Sequence, residues 1–163
     1  MIYRQNYATS DGFDDMVMIS DGEKLTGLLF TGSEDILKFS LPENETSLPV
    51  FDKTKEWLDE YFGGEIPSFT PDLCVSALSP FQKTVSGIMM GIPYGKTMTY
   101  GEMATIIAKE RGIKRMSARA VGGAVGANPI YIIIPCHRVL GAHGAITLSL
   151  IHISEPTRQA EIS

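Results

Sequence analysis

Three things are scarce in this 163-residue sequence: cysteine, long apolar runs and, over much of its second half, acidic side chains. Each scarcity excludes something. The longest apolar run, Ile130 to Ile134, is about a quarter of the ~20 residues that a bilayer-spanning helix needs, so no membrane span is expected. The opening Met1-Ile2-Tyr3-Arg4-Gln5-Asn6 has neither the charged start nor the apolar stretch of a signal peptide, so export is not expected. Two cysteines, Cys74 and Cys136, stand far apart and give neither a disulfide framework nor a zinc-ligand spacing. A reducing, cytoplasmic setting follows, with no metal and no other cofactor.

The shortage of acidic residues is local. The formal net charge of -5 argues against a nucleic-acid partner, but it averages two opposed halves. Residues 1 to 78 hold 5 Lys+Arg against 15 Asp+Glu, whereas residues 79 to 148 hold 8 Lys+Arg against Glu102 and Glu110 alone. A basic half joined to an acidic one is the pattern expected when only one domain touches phosphate. A solvated basic face with no partner stays open as the alternative, because eight cations are not a dense cluster.

The chain has room for one large domain or two small ones. In the first half, Asp14 to Ile19 and Leu25 to Phe30 flank a turn at Ser20-Asp21-Gly22-Glu23-Lys24, which predicts a hairpin. From Phe51 to Phe62, the spacing of Trp57, Leu58, Tyr61 and Phe62 predicts one face of a helix ended by Gly63-Gly64. The connector Ile66-Pro67-Ser68-Phe69-Thr70-Pro71 marks a domain boundary. Beyond it, Ser79-Pro80 predicts a helix start. Thr99-Tyr100-Gly101-Glu102 has the spacing of a capping box opening a second helix, which Gly112 ends. Ser117 then caps a third after a short turn. Two helices joined this way in a basic segment read as a helix-turn-helix.

The last of these helices is nearly bare: Ala118, Ala120, Gly122, Gly123, Ala124, Gly126 and Ala127 leave Arg119 as its one long cation. Each glycine costs a helix roughly 1 kcal/mol relative to alanine. Such a surface suits close approach, either of a neighbouring helix or of a nucleic-acid backbone. Downstream, Ile134-Pro135-Cys136-His137-Arg138-Val139 follows an apolar run read as a strand, and sets a cysteine beside an imidazole and a guanidinium. Only a thiolate is a good nucleophile, and such neighbours favour it at neutral pH. The bland alternative for Cys136 alone is a buried structural cysteine.

The ordered set of Tyr94-Gly95-Lys96-Thr97-Met98-Thr99-Tyr100-Gly101-Glu102, then Ala118 to Pro129, then Pro135-Cys136-His137-Arg138 resembles the O6-alkylguanine-DNA alkyltransferase family, also called methylated-DNA:protein-cysteine methyltransferases. The resemblance is strongest from Ser79 to Gly144 and weaker over the first half. It implies an α/β (α+β) protein: a ribonuclease-like N-terminal domain over residues 1–72 and a winged helix-turn-helix-like catalytic domain over 79–147. It also implies a monomer that repairs double-stranded DNA containing O6-alkylguanine, and O4-alkylthymine as well. The damaged nucleotide is flipped out, because a base inside a duplex is out of a cysteine's reach. On this resemblance Ala118, Ala120, Gly122 and Gly123 let the helix approach the minor groove, and Arg119 fills the space of the flipped base. The Cys136 thiolate takes the alkyl group irreversibly, His137 acts as base toward the thiol through a water, and Tyr100 donates its hydroxyl toward the departing guanine. Asn128, Pro135 and Arg138 support the site.

After Thr147 the pattern breaks. The family has a Gly-Tyr-Ala-Gly-Gly loop and a helix whose glutamate orients the histidine, whereas this chain reads Leu148 to Ser163 with no counterpart to either. Residues 148–163 resemble a translated sequencing adapter and are read as a non-native tail. Three rivals stay open. One is an alkyltransferase-like binding protein, which retention of Cys136 opposes. The others are a Cys-His hydrolase, which turnover would reveal, and a sequence-specific regulator, which so bare a recognition helix disfavours.

Overall fold

The computed structural model describes residues 1–9 and 12–141. The described residues divide into two compact units: Met1–Val75 with Pro129–Tyr131, and Ser76–Asn128 with residues 132–141. The α/β class expected from the sequence is observed, with small sheets and four α-helices among the described residues.

In the first unit, β1 (Tyr3–Tyr7), β2 (Met16–Ser20) and β3 (Leu25–Phe30) form an antiparallel sheet in the order β1-β2-β3. The predicted hairpin is β2-β3, and Met18 faces Leu28 across it. Its turn is held by short-range polar contacts. Ser20 Oγ donates to Lys24 O at 2.6 Å, and Asp21 Oδ1 accepts from the Glu23 and Lys24 amides at 2.9 Å each. Those amides, Lys24 first, hold the Asp21 carboxyl below the ordinary carboxylate range. Gly22, at φ +111, supplies the conformation that a side chain resists.

Helix α1 (Pro49–Phe62) packs on β2 through a stripe that includes Phe51, Leu58 and Tyr61. Trp57 and Tyr61 stack at 5.3 Å, while Phe62, expected on the same face, is only half-buried and stacks on Tyr7 at 6.2 Å. Tyr7 OH donates to Asp59 Oδ1 at 2.7 Å. Burial, and then the neighbouring carboxylate, push the Tyr7 phenol well up, so it stays a donor. Gly63 closes the helix in a right-handed conformation, and the left-handed turn falls one residue later, at Gly64 with φ +89.

Two later segments run parallel to β3. Leu25 N donates to Asp72 O and Cys74 N to Leu25 O, at 2.8 and 2.9 Å. Leu28 N donates to Pro129 O at 2.9 Å and Tyr131 N to Leu28 O at 2.8 Å. Tyr131 OH also donates to Asp35 Oδ2 and lies 2.9 Å from Ser33 Oγ, the residue that caps a short 3-10 turn over Glu34–Lys38.

The second unit opens with α2 (Pro80–Met90), followed by β4 (Met98–Thr99), α3 (Tyr100–Arg111), α4 (Ala118–Gly126), a 3-10 turn over Cys136–Arg138 and β5 (Val139–Leu140). All three helices start on the residues expected. Ser79 and Thr99 form complete capping boxes with Gln82 and Glu102, and Ser117 Oγ accepts from Ala120 N at 3.2 Å. Each cap contributes about 1 kcal/mol. Gly112, at φ +67, ends α3. Met103 and Ile107 of α3, Val121 and Val125 of α4, and Val85 and Met89 of α2 are buried where the three helices meet.

The apolar run Ile130–Ile134 is not the strand that its composition predicts. Only Ile130 makes a bridge, to Leu28, and residues 131–134 turn, with Ile132 at φ 70. The run is apolar because every one of its side chains is buried, not because it lies in a ladder.

Candidate functional site

Pairing of β4 with β5 organises the site. The two are parallel, with Met98 opposite Val139 and Thr99 opposite Leu140. Tyr100, the first residue of α3, therefore leaves one strand while the Cys136–Arg138 turn enters its neighbour. Cys136 is 2 % exposed and forms no disulfide, and His137, the next residue in the same tight turn, is 3 % exposed.

Contacts on both sides fix this turn. Asn128 is buried, and its Nδ2 donates to Ile134 O at 2.9 Å, bracing the chain two residues before the cysteine. Cys136 N donates to the same carbonyl at 2.8 Å. On the other side Arg138, also buried, donates from Nη1 to Ile92 O at 3.0 Å and lies over the Tyr94 ring at 5.0 Å. Such a cation-π contact contributes about 1 kcal/mol. The role of Tyr94 was not legible in the sequence, because nothing in Pro93-Tyr94-Gly95 signals a partner so distant along the chain. Removing the Asn128 amide takes from the buried Ile134 carbonyl one of its two donors and leaves the space of the amide unfilled. We therefore expect Asn128→Ala to lower stability by about 1–3 kcal/mol in a denaturant titration.

Helix α4 presents the bare face that its composition implies. Ala118, Arg119, Ala120, Gly123 and Gly126 are exposed, and Gly122 is half-buried. The glycines separate into two kinds. A Cβ at Gly122 would sit 3.0 Å from the Tyr100 ring, so internal packing accounts for that position, and it joins α4 to Tyr100. A Cβ at Gly123 or Gly126 would meet nothing within 4 Å among the described residues. Among the described residues nothing requires glycine at those two positions.

Among the described residues no three His, Cys, Asp or Glu side chains come together to hold a metal ion, and no helix is long and apolar enough to cross a membrane. The expected non-native tail, residues 148–163, lies outside the described residues.

A helix-turn-helix with a smooth exposed second helix, on the same unit as a buried Cys-His-Arg turn, defines a DNA-binding type of scaffold with thiol chemistry built into it. The family model of the 6-O-methylguanine DNA methyltransferase DNA-binding domain matches residues 80–161. The chain is 37 % identical over 132 residues to a methylated-DNA:protein-cysteine methyltransferase of Haemophilus influenzae, covering 81 % of this chain and 70 % of that one. It is 39 % identical over 134 residues to the protein of that name from Methanosarcina acetivorans, covering 74 % and 80 %. A crystal structure of Mycobacterium tuberculosis OGT in complex with DNA superposes with a TM-score of 0.72 at 32 % identity, covering 90 % of this chain and 83 % of that one. The chain belongs to the methylated-DNA:protein-cysteine methyltransferase family.

Proposed function

We propose that this chain is a single-use DNA repair enzyme that moves the alkyl group of O6-alkylguanine, and of O4-alkylthymine, onto the Sγ of Cys136. One observation carries the reading: α4 keeps Gly123 and Gly126 on an exposed face where no contact among the described residues requires them, in the same unit as the buried Cys136. Two glycines that weaken a helix and have no packing role among the described residues make sense when a DNA backbone lies against them.

In this reading α4 enters the minor groove, with Ala118, Ala120, Gly122 and Gly123 allowing close approach. Arg119 takes the place of the extruded nucleotide. Minor-groove contact reads sequence poorly, which suits an enzyme that meets its lesion anywhere. The Cys136 thiolate attacks the alkyl carbon, a sulfur-carbon bond forms, the carbon-oxygen bond to guanine breaks, and Tyr100 donates a proton toward the departing base. His137 receives the thiol proton through a water. Asn128, Pro135 and Arg138 hold the turn in place. Residues 1–72 and 79–147 serve as the two domains and residues 148–163 as a non-native appendage. The protein acts as a cytoplasmic monomer.

The test is to incubate the protein with a duplex carrying O6-methylguanine and to weigh it intact. A gain of one methyl group per molecule, with no further gain when fresh duplex is added, is the expected result. Repeated release of a product from unmodified protein would overturn the proposal.

A further inference from the structure

We infer that the cleft beside the helix-turn-helix turn is a second DNA contact, seating a backbone phosphodiester away from the lesion. The inference rests on the proposed function, which supplies the duplex. The cleft, of about 450 Å³, is bounded by one face of α3, by the turn from Ile113 to Met116, and by Ala118 at the start of α4. Its floor is made of small side chains, Ala104 and Ala108 among them, and three cations line it: Lys109, Lys114 and Arg115.

Charge and placement point to phosphate. Lys109, Lys114 and Arg115 are exposed, and none forms an ion pair among the described residues. Among the described residues no carboxylate lines the cleft. The only acidic residues between Ser79 and Gly141 are Glu102 and Glu110, and Glu102 is already engaged in the Thr99 capping box. A fourth cation of this region, Arg111, is turned onto the Phe81 ring at 5.3 Å and does not line the cleft. In helix-turn-helix proteins the first helix crosses the nucleic-acid backbone while the second enters a groove. A strand passing over the exposed face of α4 and continuing past Ala118 meets this cleft, where unpaired cations flank an open volume. The contact is to phosphate alone, so it adds affinity and orientation and no sequence preference.

The test measures binding of a short undamaged duplex by fluorescence anisotropy across a salt series. Each phosphate contact steepens the slope of log K against log salt by about 0.9. The Lys114→Gln/Arg115→Gln protein, which loses the seat for that one phosphate, should therefore show a slope shallower by about 0.9, and lose roughly 3.5-fold less affinity than the parent between about 50 and 200 mM salt. Lys53→Gln/Lys55→Gln, which removes two cations from the acidic first unit, should leave the slope unchanged. Thr105→Glu keeps all three cations but places a carboxylate one helical turn before Lys109, on a helix that tolerates glutamate better than threonine. It should weaken binding with no fall in melting temperature. Equal slopes for the parent and the Lys114→Gln/Arg115→Gln protein, or an equal change in the Lys53→Gln/Lys55→Gln control, would overturn this inference and leave the proposed function standing. A parent protein that binds no duplex at any salt concentration would overturn both.

Discussion

Cys136→Ala should abolish alkyl transfer completely while leaving duplex binding intact. The argument is one of place as much as of chemistry. Cys74 is also a thiol, but it lies half-buried in the first unit, beside β3, where Cys74 N serves the Leu25 carbonyl. Cys136 is held in a turn braced by Asn128 and followed by a fixed arginine. In the intact-mass experiment with methylated duplex, Cys136→Ala should gain nothing and Cys74→Ser should gain one methyl group. Loss of the buried sulfur costs on the order of 1 kcal/mol, too little to unfold a domain of ordinary stability. Methylation of the Cys136→Ala protein at Cys74 would show that the wrong thiol had been chosen.

The second large effect has opposite signs in two measurements. Gly123→Leu replaces a poor helix former with a good one at an exposed site where an added Cβ meets nothing within 4 Å among the described residues. Stability should rise by about 1 kcal/mol, read as a higher melting temperature. The same side chain stands between α4 and the DNA, so duplex affinity should fall at least tenfold, or ~1.4 kcal/mol. Most substitutions that weaken binding also weaken the fold or leave it unchanged. A gain in one with a loss in the other therefore identifies a glycine kept for a partner. Gly122→Leu is the contrast: it drives into the Tyr100 ring and should destabilise the protein as well. Unchanged duplex affinity in Gly123→Leu would remove the observation on which the proposed function rests.

The features legible in the sequence are those whose causes are local. Ser79, Thr99, Ser117 and Gly112 mark helix ends because capping depends on residues within one turn, and the structure has every one of them in that role. The β2-β3 hairpin is of the same kind, since Asp21 and Gly22 build its turn from their own neighbours. What the sequence hid depends on remote partners. β1 is an edge strand whose Tyr-Arg-Gln-Asn-Tyr has no apolar alternation, and it exists because β2 offers it a ladder. Ile130–Ile134 looks like a strand because burial alone enriches apolar residues.

The candidate site divides in the same way. Cys136, His137 and the bare α4 are visible as residues, because their chemistry and their lack of bulk are written in the side chains. The Arg138-Tyr94 contact and the clamp of Asp35 and Ser33 on Tyr131 link positions far apart in the chain. The left-handed Ile132 was also hidden, since a β-branched residue is among the last expected there. That conformation costs roughly 1–3 kcal/mol, offset by the burial of the isoleucine side chain.

Pro129–Tyr131 belongs with the first unit although the residues on either side belong with the second, so the chain passes between units three times. Dissection into modules is therefore not a matter of one cut. A fragment beginning at Ser76 would carry the thiol and the helix-turn-helix, yet would strand Ile130 and Tyr131 without β3 and Asp35 to receive them. Recombination between relatives meets the same obstacle. A crossover placed in the connector at residues 66–71 exchanges the sheet of one parent against the 129–131 segment of another, so chimaeras at that junction inherit mismatched halves of a single ladder.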